Sequence, residues 1–303
     1  MAHGKRILLI GKNGQVGWEL QRTLSSLGEV RAVDRQELDL TDPDSIRRVI
    51  RESRPALIVN AAAYTAVDKA EAEAGLAMAI NGSAPGIMAE EAKRLHGALL
   101  HYSTDYVFDG AKTQPYAEDD AVNPLGIYGA SKLAGEQAIQ AAGVPHLIFR
   151  TSWVYGARGK NFLLTMLRLS KERDELRVVA DQIGAPTWSR MIAEMTAQAL
   201  ACTALPNGVS INEASGIYHL TGAGVTSWCG FTQAILENVA QRALADTRVR
   251  LPRLVPITTS DYPTPARRPK NSQMSNAKLA NVFGLVSPAW DSQLHLCMRD
   301  VAV

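Results

Sequence analysis

A short apolar run, Ile7-Leu8-Leu9-Ile10, passes without a break into Gly11-Lys12-Asn13-Gly14-Gln15-Val16-Gly17, and the chain then turns amphipathic at helical spacing over 15–26. A strand that leads at once into a helix needs backbone conformations closed to most side chains. Glycine permits the tight turn, lets backbone N–H groups approach a bound anion, and allows the helix to lie close against the sheet. The first N–H groups of the helix face that turn, with the positive end of the helix dipole behind them. The glycine spacing alone is weak information. Its place directly after the first strand makes it a phosphate-binding turn, with Gly11, Asn13, Gly14, Gln15, Val16 and Gly17 as candidate ligands.

The same grammar repeats along the first half. Strand-length runs at 6–10, 29–33, 56–60, 98–103 and 146–151 are rich in Val, Ile and Leu and lack polar alternation, which suits parallel strands covered on both faces. Between them, 15–26, 43–54, 85–96 and 128–142 carry apolar residues at three- and four-residue steps. This order predicts an α/β chain, a Rossmann-like doubly wound parallel sheet with helices on both faces. After Trp153 the alternation weakens: helix at 162–172, strand at 176–180, helix at 189–201, strand at 216–221, helix at 229–244, and short helices at 276–283 and 288–299. Breakers fill Tyr262-Pro263-Thr264-Pro265-Ala266-Arg267-Arg268-Pro269. The expected organisation is a dinucleotide-binding domain over 1–155 that also uses part of 189–221. A smaller C-terminal α/β substrate-binding lobe over 156–303 would be interleaved with it.

Composition excludes several classes. The 303 residues include 32 Lys and Arg against 30 Asp and Glu, too balanced to draw the chain to nucleic acid or an anionic membrane. The apolar run near Met1 is too short for a signal-peptide core or a membrane span, so a cytoplasmic location is expected. Cys202, Cys229 and Cys297 are far apart and outside any ligand spacing. They read as reduced, mostly buried thiols, and no metal ligands are assigned.

The strand at 29–33 ends in Asp34-Arg35, about twenty residues past the first glycine, where a dinucleotide's adenosine ribose is recognised. Asp34 suits free ribose hydroxyls, and Arg35 suits a 2′-phosphate. NADPH is favoured, with NADH accepted as well. Asp39 and Leu40 are placed to cover an adenine, and Asp39 is equally placed to cap the helix that starts at Pro43. The small side chains after Asn60, at Ala61, Ala62 and Ala63, let a backbone lie flat along a dinucleotide, or pack against a helix.

Chemistry enters with Tyr128 and Lys132. At i and i+4 on a helix they share a face, so an ammonium can lie near both a phenol oxygen and a cofactor ribose. A neighbouring positive charge favours the phenolate and brings a phenol toward useful acid/base range. No other tyrosine of the chain has a lysine four residues on. Thr104, at the end of the strand at 98–103, would hydrogen-bond a substrate oxygen between phenol and nicotinamide.

These residues resemble the extended short-chain dehydrogenase/reductase family, and the resemblance runs along nearly the whole chain. It is carried by 11–20, by Asn-Ala-Ala-Ala-Tyr-Thr-Ala-Val-Asp-Lys-Ala-Glu at 60–71 and by His-Tyr-Ser-Thr-Asp-Tyr-Val-Phe at 101–108. Phe-Arg-Thr-Ser-Trp-Val-Tyr-Gly at 149–156, Asp-Gln-Ile-Gly-Ala-Pro-Thr at 181–187 and Arg-Pro-Lys-Asn-Ser at 268–272 complete it. In detail the chain is similar to the branch that reduces the C4 ketone of dTDP-4-dehydro-L-rhamnose with NADPH, the last step of dTDP-rhamnose synthesis. The resemblance implies that Tyr128 supplies the proton, Lys132 holds the nicotinamide ribose and Thr104 orients the carbonyl. It extends sugar contacts to Asp105, Tyr106 and Trp153, nucleotide contacts to Asn161, Arg267 and Arg268, a cofactor contact to Tyr64 and a nicotinamide-side contact to Asn81. Asn81 falls in an Asn-Gly-Ser-Ala turn opening a helix. Lipopolysaccharide as a destination for the sugar is implied by resemblance alone.

Some family members hold a divalent metal between subunits. Glu19 matches one acidic position of that site and Arg190 stands where another member has an acid, so neither Mg²⁺ dependence nor the corresponding homodimer is claimed. Two other functions share the glycine turn. A sugar-nucleotide 4,6-dehydratase would need Asp-Glu after the threonine, and this chain has Asp105-Tyr106. A non-catalytic dinucleotide-binding regulatory subunit would have no use for an intact Thr104, Tyr128 and Lys132.

Overall fold

The structure is a computed structural model and describes residues 6–204, 208–242 and 250–301. The first half contains strands β1 (Arg6–Ile10), β2 (Glu29–Val33), β3 (Leu57–Asn60), β4 (Ala98–Thr104) and β5 (His146–Thr151). Its helices are α1 (Gln15–Leu24), α2 (Pro43–Ser53), α3 (Val67–Ala70), α4 (Ala74–Met78), α5 (Ala84–Arg94) and α6 (Ile127–Ala142). Then follow β6 (Val154–Tyr155), α7 (Phe162–Glu172), β7 (Glu175–Val179), β8 (Ile183–Gly184), β9 (Thr187–Trp188) and α8 (Ser189–Cys202). The chain continues through β10 (Gly216–His219), β11 (Thr226–Ser227), α9 (Trp228–Arg242), β12 (Arg253–Ile257), α10 (Ala277–Phe283) and α11 (Trp290–Arg299).

Among the described residues the main sheet runs β2-β1-β3-β4-β5-β10, parallel throughout. The chain leaves β1 for one side and returns to β3 on the other, so a crevice opens between their carboxyl ends. Alternation along β1 divides the core. Ile7 and Leu9 meet Leu20 and Leu24 of α1 and Ile192 of α8 on one face. Leu8 and Ile10 meet Ile46 of α2, Met88 of α5 and Ile139 of α6 on the other. Each such fully buried side chain contributes roughly 2 kcal/mol. β2 is an edge strand with exposed alternate residues, unlike the fully covered strand its apolar content suggests.

A further core of Tyr155, Leu163, Trp188, Phe231, Ile235 and Leu294 lies among α7, α9 and α11, beside the parallel pair β7–β12. α8 and β10 pack with the main sheet. Among the described residues no helix is long and apolar enough to cross a membrane.

Several expectations are corrected. The cap of α2 is Asp42, whose carboxylate accepts from Asp44 N–H at 2.9 Å. Asp39 lies one turn too early and instead binds the N–H and hydroxyl of Thr41. Asn81 does not open a helix: it sits in a π-helical turn, Ala79–Ser83, inside the helical run from α4 to α5. The strand expected to reach 221 ends at His219. The helix expected over 229–244 runs from Trp228 to Arg242, and its last two residues lie outside the described residues. All three cysteines are free, but only Cys297 is fully buried.

Candidate active site

The parallel arrangement brings Gly11, Asp34, Ala61, Thr104 and Trp153 to one edge of the sheet, the carboxyl ends of β1 to β5. Gly11 has φ +92°, and a Cβ there would lie 2.8 Å from Ala62 N; a Cβ on Gly17 would lie 2.0 Å from Gly11 O. Backbone therefore meets backbone where the glycine spacing places the phosphate turn. Gly14 provides no side-chain cap for α1, so its first N–H groups remain for another acceptor. The cradle fits a dinucleotide pyrophosphate.

At the ribose end, Asp34 accepts from Asn13 Nδ2 at 3.0 Å and from Gln36 N–H at 3.0 Å, and pairs with Lys12 at 3.5 Å. The Gln36 N–H, with Lys12 and Asn13, holds its carboxyl below the usual range. Lys12 also pairs with Glu37. Arg35 is exposed beside this cluster. Asn81 secures the segment after β3: its Oδ1 accepts from Tyr64 N–H at 2.9 Å, and its Nδ2 donates to Tyr64 O and to Ser131 Oγ. The Tyr64 hydroxyl donates to Glu73 at 2.7 Å.

The catalytic end rests on α6. Gly129 lets its first turn press onto the chain after β4, since a Cβ there would lie 2.2 Å from Tyr106 O. The buried pair Arg150–Glu136, bonded at 3.0 and 2.7 Å, ties the same helix to β5. Tyr128 is half-buried, with its ring edge-on to Tyr106 at 5.5 Å between centroids. Burial pushes its phenol up to about 12; the Asp105 charge adds to this, and a hydrogen bond with Thr104 opposes it. The phenol is thus held as an acid, whereas the sequence alone suggested that a lysine charge would lower it. Thr104 donates to Asp105 Oδ1 at 2.9 Å, and Asp105 Oδ2 is buried without a hydrogen-bond partner among the described residues. Burial raises the Asp105 carboxyl to about 6.

Lys132 is buried, and its ammonium is pushed down to about 8 by desolvation, against the pull of Glu136. Its polar contacts are the Tyr102 carbonyl at 2.5 Å and His101 Nε2 at 3.1 Å. His101 Nδ1 meets Asn60 Nδ2 at 3.0 Å. This arrangement differs from the direct lysine–phenol contact that the spacing suggests. Sequence reasoning did not single out Asn60 and His101, because one Asn ending β3 and one His in the middle of β4 look like satisfied core groups.

Trp153 has φ +47° and stacks on Trp228 at 3.6 Å and 9°. That conformation is costly for a bulky residue and persists where the surroundings hold it. Trp228 was not foreseen. Asn161 caps α7 through Leu164 N–H, and its Nδ2 contacts Gln15 Oε1 at 2.8 Å, Gly156 O and Arg158 O. It joins the phosphate turn to the substrate side and has no donor left over. Arg268 forks onto Asp68 at 2.9 and 3.1 Å, while Arg267 is exposed. Glu19 pairs with Arg190 at 3.3 Å, and Arg190 also reaches Asp300 at 2.7 Å.

The family model described as RmlD substrate binding domain matches residues 5–303. The dTDP-4-dehydrorhamnose reductase of Burkholderia thailandensis is 52% identical over 297 residues, 98% of this chain and 99% of its own. The solved dTDP-4-dehydrorhamnose reductase of Clostridium acetobutylicum is similar at TM-score 0.88 and 35% identity, over 97% of this chain and 98% of that one. Its counterpart from Bacillus anthracis, solved in complex with NADP, is similar at TM-score 0.87 and 34% identity, over 98% and 99%.

Proposed function

The chain belongs to the RmlD family, and from that premise we propose that it reduces the C4 ketone of dTDP-4-dehydro-L-rhamnose to dTDP-L-rhamnose with NADPH. The observation that carries this is the placement of Thr104, Asp105 and Tyr128, with Lys132 on the same helix as Tyr128, at the sheet edge that also carries the glycine turn. NADPH, when bound, supplies the hydride. Gly11, Gly14, Gln15, Val16 and Gly17 would hold its pyrophosphate through backbone. Ala61, Ala62, Ala63, Tyr64 and Asn81 line the way to its nicotinamide, and Asp39 and Leu40 lie toward the adenine. Because Asp34 is already engaged by Asn13, Lys12 and Gln36 while Arg35 is exposed, a 2′-phosphate is favoured over bare ribose hydroxyls. The NADP complex of the Bacillus anthracis relative supports the same preference.

Thr104 orients the ketone oxygen, and Tyr128, kept protonated by burial, gives it the proton as negative charge develops. The buried Asp105 carboxyl, hydrogen-bonded to the Thr104 hydroxyl, fixes the direction of that hydroxyl beside the deoxyhexose. Tyr106 and Trp153 offer flat faces to the deoxyhexose, and Arg267 is free to meet the diphosphate. Asn161 and Arg268 shape that end through Gln15 and Asp68. Nicotinamide absorbance measured with NADPH and the product of a separate 3,5-epimerase tests this. Loss of absorbance that depends on the epimerase is expected. Cofactor binding without consumption would favour a non-catalytic subunit.

A further inference from the structure

Hydrogen-bond donors and acceptors around His101 balance in one way only. Ala62 N–H can only donate, so the Asn60 atom 3.1 Å from it is the carbonyl oxygen. The Asn60 amide nitrogen therefore faces His101 Nδ1 at 3.0 Å and donates to it. An imidazole that accepts at Nδ1 and is neutral carries its proton on Nε2, and this N–H points at Lys132 Nζ, 3.1 Å away. An ammonium has three donors and no lone pair, so two donors would face each other. A neutral amine can accept from Nε2–H while it donates to the Tyr102 carbonyl. Asn60, His101 and Lys132 are each at most 2% exposed, which leaves an unmatched donor costly.

We propose that Asn60 and His101 form a tautomer lock that receives Lys132 as a neutral amine once the lysine has passed its proton to Tyr128. The proposal rests on the reductase reading of Tyr128 and Lys132. The phenol gives its proton to the oxygen at C4, and the phenolate takes one from the Lys132 ammonium. The amine left behind accepts from His101 Nε2–H. A solvent proton then reloads Lys132, which leaves His101 because two donors repel. One proton enters per ketone reduced, and no protein group changes oxidation state. His101 and Asn60 are positioning residues.

The charged and titratable neighbours are few. Tyr128 and Glu136 share α6 with the lysine, Glu136 is neutralised by Arg150 of β5, and Asp105 lies beyond the end of β4. Burial lowers the proton affinity of both groups, which keeps the imidazole neutral and brings the lysine's loss of its proton down to about 8.

Histidine ¹⁵N NMR of the full-length, ligand-free protein tests the lock. There are 6 histidines, and His101→Gln identifies the signal. The expected result is the Nε2–H tautomer from about pH 6 to 9, converted to Nδ1–H in Asn60→Asp, where the carboxylate accepts from both Ala62 N–H and the ring. Nε2 then accepts from the ammonium, so the basic limb of kcat against pH moves up by about one pH unit. His101→Gln, whose carbonyl can also accept from the ammonium, moves it the same way. An imidazolium or an Nδ1–H tautomer in the parent protein overturns the proposal, and so does the expected tautomer with an unmoved limb in both variants. A wrong substrate would abolish turnover and leave the tautomer as expected, so the two failures are distinct.

Discussion

At the carboxyl end of β1 the proposed binding surface is backbone, at glycines where a Cβ would lie 2.0 Å (Gly17) and 2.8 Å (Gly11) from another main-chain atom. At the carboxyl end of β4 the surface is side chains, and their charge is set by burial: the Tyr128 phenol is pushed up and the Lys132 ammonium down. The first region is specified by shape and the second by environment. Substitutions should therefore fail differently, with lost binding and packing at the turn and lost chemistry with intact binding at the catalytic end.

The sharpest contrast comes from Tyr128→Phe. Removing the hydroxyl should lower kcat about a thousandfold and leave the NADPH dissociation constant within roughly a factor of two; stopped-flow reduction and fluorescence titration measure the two. Equal losses in both would erase the distinction between the regions.

Lys132→Met probes environment through stability. Burial lowers the lysine from 10.5 to about 8, which costs the folded state about 3 kcal/mol at neutral pH. The unfolded chain keeps this proton up to its ordinary value, while the folded chain releases it from about 8. The penalty is thus complete below about 8 and gone above 10.5. Urea denaturation of both proteins at several pH values should show the parent gaining stability relative to the variant across that window. A pH-independent difference would mean that burial does not govern this lysine.

Gly17→Ala should act at the turn. A Cβ 2.0 Å from Gly11 O forces α1 away from the loop, at about 1–3 kcal/mol, so NADPH should bind about ten- to a hundredfold more weakly. Calorimetric titration measures this. Unchanged affinity would mean that the cradle is not the phosphate site.

The two regions also differ in how far the sequence discloses them. Glycine acts through its own backbone and neighbours, so Gly11, Gly14 and Gly17 could be read in place. The strands β1, β2 and β5 and the helix α7 likewise fall where apolar runs and spacing put them. β12 has no counterpart among the apolar runs, since Pro256 and Arg253 interrupt it; among the described residues it borders only β7, and an edge strand tolerates proline. The π turn around Asn81 leaves no periodic signal over five residues. Tyr128 and Lys132 could be found by their spacing, but their proton affinities depend on burial and on Thr104, Asp105 and Glu136, an environment that only the folded sheet creates. The stack of Trp153 on Trp228 joins positions 75 residues apart (228 − 153 = 75) and has no local signature.

Transfer of label tests the reading most directly. NADPH dideuterated at the nicotinamide C4 is incubated with the protein and dTDP-4-dehydro-L-rhamnose, and the sugar is examined by NMR. One deuterium at C4 of dTDP-L-rhamnose, with solvent hydrogen on the adjacent oxygen, is the expected result. Cofactor that binds tightly and keeps its label while the ketone is unchanged would contradict it.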